Sequence, residues 1–220
     1  LPIFPLPGAL LLPRGNLPLN IFEPRYVNMI ADAVDGDRVI GMIQPKALPK
    51  SLPNSPLNSP APRQITDSTE VYETGCAGRI ASFSETDDGR YLITLTGVCR
   101  FRVARELARM RGYRRIAADY EAFATDLAPD TEPMADRPRL LEAVRAYFAF
   151  KGVDTDWQAI EDATDSALVT ALAMVCPLES GEKQALLEAP TVFVQGTLLT
   201  GLLEMAIRAA DSGTPSMTAH

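Results

Sequence analysis

The chain has 220 residues, 46% of them hydrophobic and 22% charged, with a formal net charge of −7 and a pI near 4.8. That is the composition of a soluble globular protein with enough length to bury a substantial core, and its acidity argues against nonspecific binding to nucleic acid or to an anionic membrane. His220, the final residue, is the one histidine, so there is no ordered base for Ser-His-Asp or Cys-His catalysis and no His-Glu-x-x-His zinc site.

In chain order, Leu1–Leu6 carries too many prolines for a helix and too few donors for a central strand, and it reads as an edge strand. Pro7 and Gly8 mark a turn into a second apolar strand over Ala9–Leu12. The polar turn at Arg14, Gly15 and Asn16 separates this from another apolar run, Leu17–Phe22. Pro24 suits the first turn of a helix. Tyr26, Met29, Ile30, Ala33 and Val34 recur at helical spacing, and Gly36 is placed to end the helix in a left-handed conformation. Arg38–Gln44 is a strand. Residues 45–64 hold six prolines among Ser and Asn, and predict a mobile loop with little apolar surface to bury. Glu70–Glu85 and Arg90–Thr96 flank a turn at Asp87, Asp88 and Gly89 and form a hairpin. Val98–Ala104 follows as another strand, with Cys99, Phe101 and Val103 on one face and Arg100 and Arg102 on the other. Arg114–Phe123 is a further strand candidate.

After about Asp126 the apolar period becomes helical. Asp136 caps a helix with Pro138 in its first turn and a stripe of Leu140, Leu141, Val144, Tyr147 and Phe148. Trp157 and Ile160 mark a short helix. Asp165 caps a stripe of Leu168, Val169, Leu172 and Val175 that stops before Pro177. Ser180 caps a helix over Gly181–Ala189, and Thr191 caps the last one. That last helix carries Thr197, Thr200, Glu204 and Arg208 on one face, which makes it an amphipathic core helix rather than a membrane span. The residues after Asp211 are small and polar.

Several ordered blocks resemble the Lon N-terminal domain family, the substrate-binding domain that precedes the ATPase in Lon proteases. The most specific is Pro18-Leu19-Asn20-Ile21-Phe22-Glu23-Pro24-Arg25-Tyr26, after the paired apolar runs of Leu1–Leu12. Gly75-Cys76-Ala77-Gly78-Arg79-Ile80, Asp88-Gly89-Arg90-Tyr91, Gly97-Val98-Cys99-Arg100-Phe101-Arg102 and Glu182-Lys183-Gln184-Ala185-Leu186-Leu187-Glu188 are similar to its internal blocks. The resemblance covers most of Leu1–Ala210. It implies an α+β fold, with an N-terminal β-rich, partly closed barrel followed by a C-terminal helical bundle. The expected division is 1–126 for the β-rich subdomain, 127–210 for the helical one and 211–220 for a flexible tail. The resemblance also implies noncatalytic recognition of unfolded polypeptide or of a partner protein, in the cytoplasm and linked to protein quality control. The ATPase and Ser-Lys peptidase modules of a full Lon protease are not expected here, because this stretch ends where they would begin and none of Lys46, Lys50, Lys151 and Lys183 follows a glycine as a P-loop requires. The binding candidates are Pro5, Leu6, Phe22, Glu23, Arg25 and Tyr26, with Glu23 and Arg25 read first as fixing the strand-to-helix corner.

Two other readings stand beside this one. Asp87 with Asp88, and Glu161 and Asp162 beside Asp165, could serve a carboxylate-dependent hydrolase, but solvated turns and caps account for such groups. Arg100, Arg102, Arg105, Arg109, Arg111, Arg114 and Arg115 form one basic cluster that could hold nucleic acid in a scaffold, against a solvated strand face paired with carboxylates. No cofactor and no metal site is expected. Cys76, Cys99 and Cys176 have no Cys-x-x-Cys spacing and read as buried free thiols of a reducing compartment.

Overall fold

The computed structural model describes residues 1–46, 69–128 and 136–212, without the side chains of 210–212. The loop expected over 45–64 lies outside these residues except for Pro45 and Lys46, as does the end of the chain from 213. The elements are β1 (Pro2–Pro5), β2 (Asn16–Ile21), α1 (Pro24–Asp35), β3 (Val39–Ile43), β4 (Thr74–Glu85), β5 (Tyr91–Met110) and β6 (Tyr113–Asp119). A 3-10 segment, Glu121–Leu127, leads toward α2 (Arg137–Lys151), α3 (Trp157–Asp162), α4 (Asp165–Val175), α5 (Ser180–Glu188) and α6 (Val192–Ser212).

The sheet has six strands in the order β2-β5-β4-β3-β1-β6, and β5 also pairs with β6. The ring β1-β3-β4-β5-β6 therefore closes on itself, while β2 lies outside it on the first half of β5. The twenty-residue β5 makes this possible. Its Tyr91–Thr96 half pairs with β2 and its Arg102–Met110 half with β6. Register shifts lie between Ala77 and Gly78, and between Val103 and Arg105. Bulges of this kind bend a strand enough to close a barrel. Gly97 marks another constraint. A Cβ there would lie 2.0 Å from the Leu12 carbonyl oxygen, because the chain at 12–15 crosses directly over it and hydrogen-bonds to it through Arg14 N and Gly15 O.

Four local expectations change. Leu1–Leu6 is no edge: β1 pairs in parallel with β3 and antiparallel with β6. Only Ile3 and Phe4 lie between Pro2 and Pro5, and a strand this short needs no more donors. Ala9–Leu12 is not a strand, but Leu10, Leu11 and Leu12 are fully buried. Gly36 has φ −112°, and the left-handed residue after the helix is Arg38 at φ 59°. The caps of α4 and α5 are Thr164 and Glu179, one residue earlier than expected; Glu179 forms a capping box with Glu182.

One core cluster runs from the sheet into the helices, joining Phe4, Leu11, Ile21, Met29 and Leu95 to Val144, Tyr147, Leu172, Leu186 and Leu199. A smaller one fills the barrel with Ile3, Ile43, Ala77, Phe101 and Ile116. Helix α6 is long and apolar enough over Val192–Ala209 to cross a membrane by length and composition. Its Leu199, Leu202 and Leu203 are buried in the main core, and its Glu204 pairs with Arg139 of α2 at 2.8 Å.

Candidate functional site: an open three-stranded sheet

Beyond the closed ring, β2, the end of β4 and the start of β5 form a three-stranded sheet. Asn20 stands opposite Leu92, which stands opposite Ser84; Pro18, Thr94 and Ser82 make the next row. Because side chains alternate along a strand, these six point outward while Leu19, Ile21, Ile93 and Leu95 turn toward the core. The outward side holds a shallow depression of about 470 Å³ and no ionisable side chain lines it. Leu92 is 46% exposed and Phe22, the residue after β2, is 63% exposed. Phe83 leans edge-on against Tyr91 with ring centroids 4.9 Å apart.

The corner after β2 explains why Phe22 is held outward. Pro24 starts α1, and Glu23 occupies the cap position in extended conformation without a side-chain cap bond. Its carboxylate instead accepts from Arg25 Nε at 3.0 Å and pairs with Nη2 at 2.8 Å. The Arg25 guanidinium lies 4.6 Å above the Tyr26 ring, and Tyr26 packs on Phe4 at 4.2 Å. Tyr26 and Pro5 are buried and Leu6 is half-buried. Of the six candidates, then, Phe22 meets solvent, Glu23 and Arg25 pair at the turn, Tyr26 packs between Arg25 and Phe4, and Pro5 and Leu6 lie at the end of β1 against Ile43. Sequence reasoning missed Leu92, Thr94, Ser82 and Ser84. Their alternation was visible, but which side of the hairpin faces solvent depends on which side the main core packs against.

The basic cluster is not one solvated face. Arg100 is 5% exposed. It donates from its backbone N–H and Nε to Asp126 Oδ2, both at 2.9 Å, from Nη2 to Oδ1 at 2.7 Å, and from Nη1 to the carbonyls of Leu187 and Ala189. The helical region covers that side of β5, so a residue placed on the outer face of an isolated strand becomes a buried tie between the barrel and the α5–α6 turn. Arg114 pairs with Glu106 at 2.8 Å and Arg111 with Asp32. A cavity of about 270 Å³ beside Arg100 and Asp126 is also lined by Arg14, Thr170 and Gln195. Lys183 and Gln184 make similar ties: Nζ donates to Gly8 O at 2.8 Å and Met174 O at 3.2 Å, and Gln184 Nε2 to Thr74 O at 3.2 Å. Burial holds the Lys183 ammonium below its ordinary pKa.

The acidic pairs are similarly engaged. Asp88 pairs with Arg90 and accepts from Thr86, whose hydroxyl is the main cause holding its carboxyl below the usual range. Glu161 pairs with Arg145 and Asp165 with Arg137. No group of three metal-ligating side chains occurs among the described residues. All three cysteines are buried and unbridged; burial pushes the Cys176 thiol up to about 11 and that of Cys76 higher still.

The fold is thus a closed, bulged barrel that carries an open sheet and is followed by a C-terminal set of helices. The sequence profile described as the ATP-dependent protease La (LON) substrate-binding domain matches residues 1–205, and the chain belongs to that family. It is 26% identical over 197 residues to Lon protease 2 of Sorangium cellulosum, covering 86% of this chain and 22% of that protein. It is 28% identical over 119 residues to Lon protease 2 of Myxococcus xanthus, covering 54% of this chain and 13% of that one. The chain thus spans at most about a fifth of these two curated relatives. Two solved structures share the fold. The Lon N-terminal domain protein from Xanthomonas campestris has a TM-score of 0.54 at 21% identity, with 98% of both chains covered. The N-terminal domain of a Mycobacterium avium complex Lon protease has a TM-score of 0.59 at 14% identity, covering 92% of this chain and 97% of that one.

Proposed function

We propose that this chain is a noncatalytic module that recognises polypeptide in the service of proteolysis, and that it takes extended, uncharged or apolar segments on the outward face of the β2–β5–β4 sheet. Its partner is an unfolded client or a protein that presents such a segment, in the cytoplasm, where three buried free thiols are at home. Family membership supports recognition of protein substrates. The observation that carries the placement is the face itself: an uncharged strip with Leu92 and Phe22 exposed, on a protein of net charge −7. An uncharged strip suits an extended chain, whose alternate side chains seek shallow apolar contact across the face.

Affinity is modest, roughly micromolar or weaker, because an extended client loses conformational entropy on binding. It changes little with salt, and acidic clients are repelled by the surrounding charge. Titration of a fluorescently labelled unfolded protein tests the reading. A saturable signal, stronger for apolar than for acidic segments, is expected. A folded chain that gives no saturable signal up to hundreds of micromolar refutes it.

A further inference from the structure

The outer half of β4 is an open sheet edge. On its far side from β5, β3 pairs only with Cys76–Arg79, and the last backbone bond there runs from Ile80 N to Arg38 O at 2.8 Å. Ala81 is a bulge between Ile80 and Ser82, and Ser82–Glu85 then continues on the β5 side alone among the described residues, with all five residues from 81 to 85 exposed. Open edges are normally blunted by proline, lysine or a very short length. The other open edge, β2, carries Pro18 at its middle. Ala81–Glu85 carries neither proline nor lysine.

The charges at its two ends are arranged by sign. Arg38 and Arg79 stand at the inner end, where β3 stops; Glu85 and Asp87 stand at the outer end, by the turn. All four are exposed, and none has an ion-pair partner among the described residues. Arg90 at the turn is engaged instead by Asp88.

We infer that this edge pairs with the same edge of a second copy of the chain, antiparallel about a two-fold axis through Phe83. In that register Phe83 faces Phe83 of the other copy, Ser82 faces Ser84, and the bulge at Ala81 lies beside Glu85. Past the bulge, Arg79 comes level with Thr86, one residue from Asp87 at the turn and within reach of its carboxylate, with Arg38 beside it, and the symmetry repeats this at the other end. Parallel pairing would set Arg79 against Arg79 and Asp87 against Asp87, which like-charge repulsion disfavours. A slip of one residue would turn one copy's outward face to the core side. The two-fold register keeps both outward faces on one side of a continuous six-stranded sheet, so the dimer doubles the client surface without covering it. The pairing is argued from edge and charges alone and does not depend on the client reading. With four regular strand residues a side and exposed ion pairs, the dimer is weak and loosened by salt.

Sedimentation equilibrium of the full chain at low salt, across a concentration series, tests this with Arg79→Glu, Asp87→Arg and the double variant. Both positions are exposed, and circular dichroism melts check that each variant is folded. A wild-type monomer–dimer equilibrium is expected, each single swap weakening it about tenfold because it converts attraction into repulsion at both ends. The double variant restores it to within a few-fold, since residue 79 of each copy again meets its opposite at 87 of the other. A wild-type chain that is monomeric throughout, a dimer indifferent to both single swaps, or a double variant as dissociated as the singles overturns the pairing. So does crosslinking of an extended client peptide along Ala81–Glu85 of a monomeric chain, which would assign the edge to clients.

Discussion

Phe101 and Gly41 are built as a pair, and the pairing makes a quantitative prediction. Phe101 is fully buried among Ile3, Ile43, Ala77 and Ile116, and its ring fills the barrel where Gly41 and Gly75 leave space. A Cβ on Gly41 would meet Phe101 Cε1 and Leu1 Cδ2 at 2.9 Å and Phe101 Cζ at 3.0 Å, all side-chain atoms. Phe101→Ala alone should cost about 3–5 kcal/mol, the usual range for emptying an aromatic site. Gly41→Ala alone should cost about 1–3 kcal/mol as overpacking. In the Phe101→Ala background the Phe101 contacts are gone and the far end of the Leu1 side chain is the close neighbour left, so the methyl gains about 0.5–1 kcal/mol over glycine in a strand. The two should therefore couple by about 1.5–4 kcal/mol, with the double variant more stable than the sum of the singles. Gly75→Ala is the control. Its Cβ would also lie 2.6 Å from the Met42 carbonyl oxygen, so it stays costly in either background. Guanidinium unfolding midpoints at unchanged slope measure all of this. Additivity of Gly41 and Phe101 within about 0.5 kcal/mol would refute the packing argument.

Other consequences follow from single side chains. Arg100→Met leaves the Asp126 carboxylate buried without its guanidinium and should cost about 3–5 kcal/mol, whereas Arg102→Ala, two residues on and exposed, should stay within about 0.5 kcal/mol; unfolding midpoints compare them. Tyr113 donates to Asp32 Oδ2 at 2.9 Å, and burial followed by that bond pushes its phenol up to about 12. A pKa raised in the folded state gives stability present below about pH 10 and lost as pH climbs through 12. Tyr113→Phe should therefore flatten the alkaline decline of the melting temperature relative to wild type, and an unchanged decline would reject the assignment.

The fold's outline was legible because it rests on local signals. Prolines at 24 and 138 start α1 and α2, alternation marked the hairpin, and Tyr26, Met29, Ile30 and Ala33 all lie in the core as their spacing required. What failed depends on distant chain. Arg100 looked solvated because alternation put it opposite Phe101; nothing local says that the turn after α5 arrives to cover that face. Leu1–Leu6 looked like an edge because proline removes donors, yet a strand with two donors still closes a barrel when each neighbour asks for so few bonds. Part of the candidate site was legible: Phe22 stood out in the block Pro18–Tyr26. The rest, Leu92 with Ser82, Ser84 and Thr94, needed the register of three strands and the position of the main core before one side of the hairpin could be recognised as the open one.

The central claim is that polypeptide binds the outward face of the β2–β5–β4 sheet, and a charge placed on that face tests it most directly. Leu92→Asp and Phe22→Asp alter exposed side chains, so folding should change by no more than about 0.5 kcal/mol. Each should weaken binding of a labelled unfolded protein at least about fivefold, since a carboxylate cannot be desolvated against an apolar client segment. Val175→Asp, on helix α4 and 74% exposed, should leave binding unchanged. Equal affinity for wild type, Leu92→Asp and Phe22→Asp, with saturable binding intact, would contradict the account and move the client to another surface.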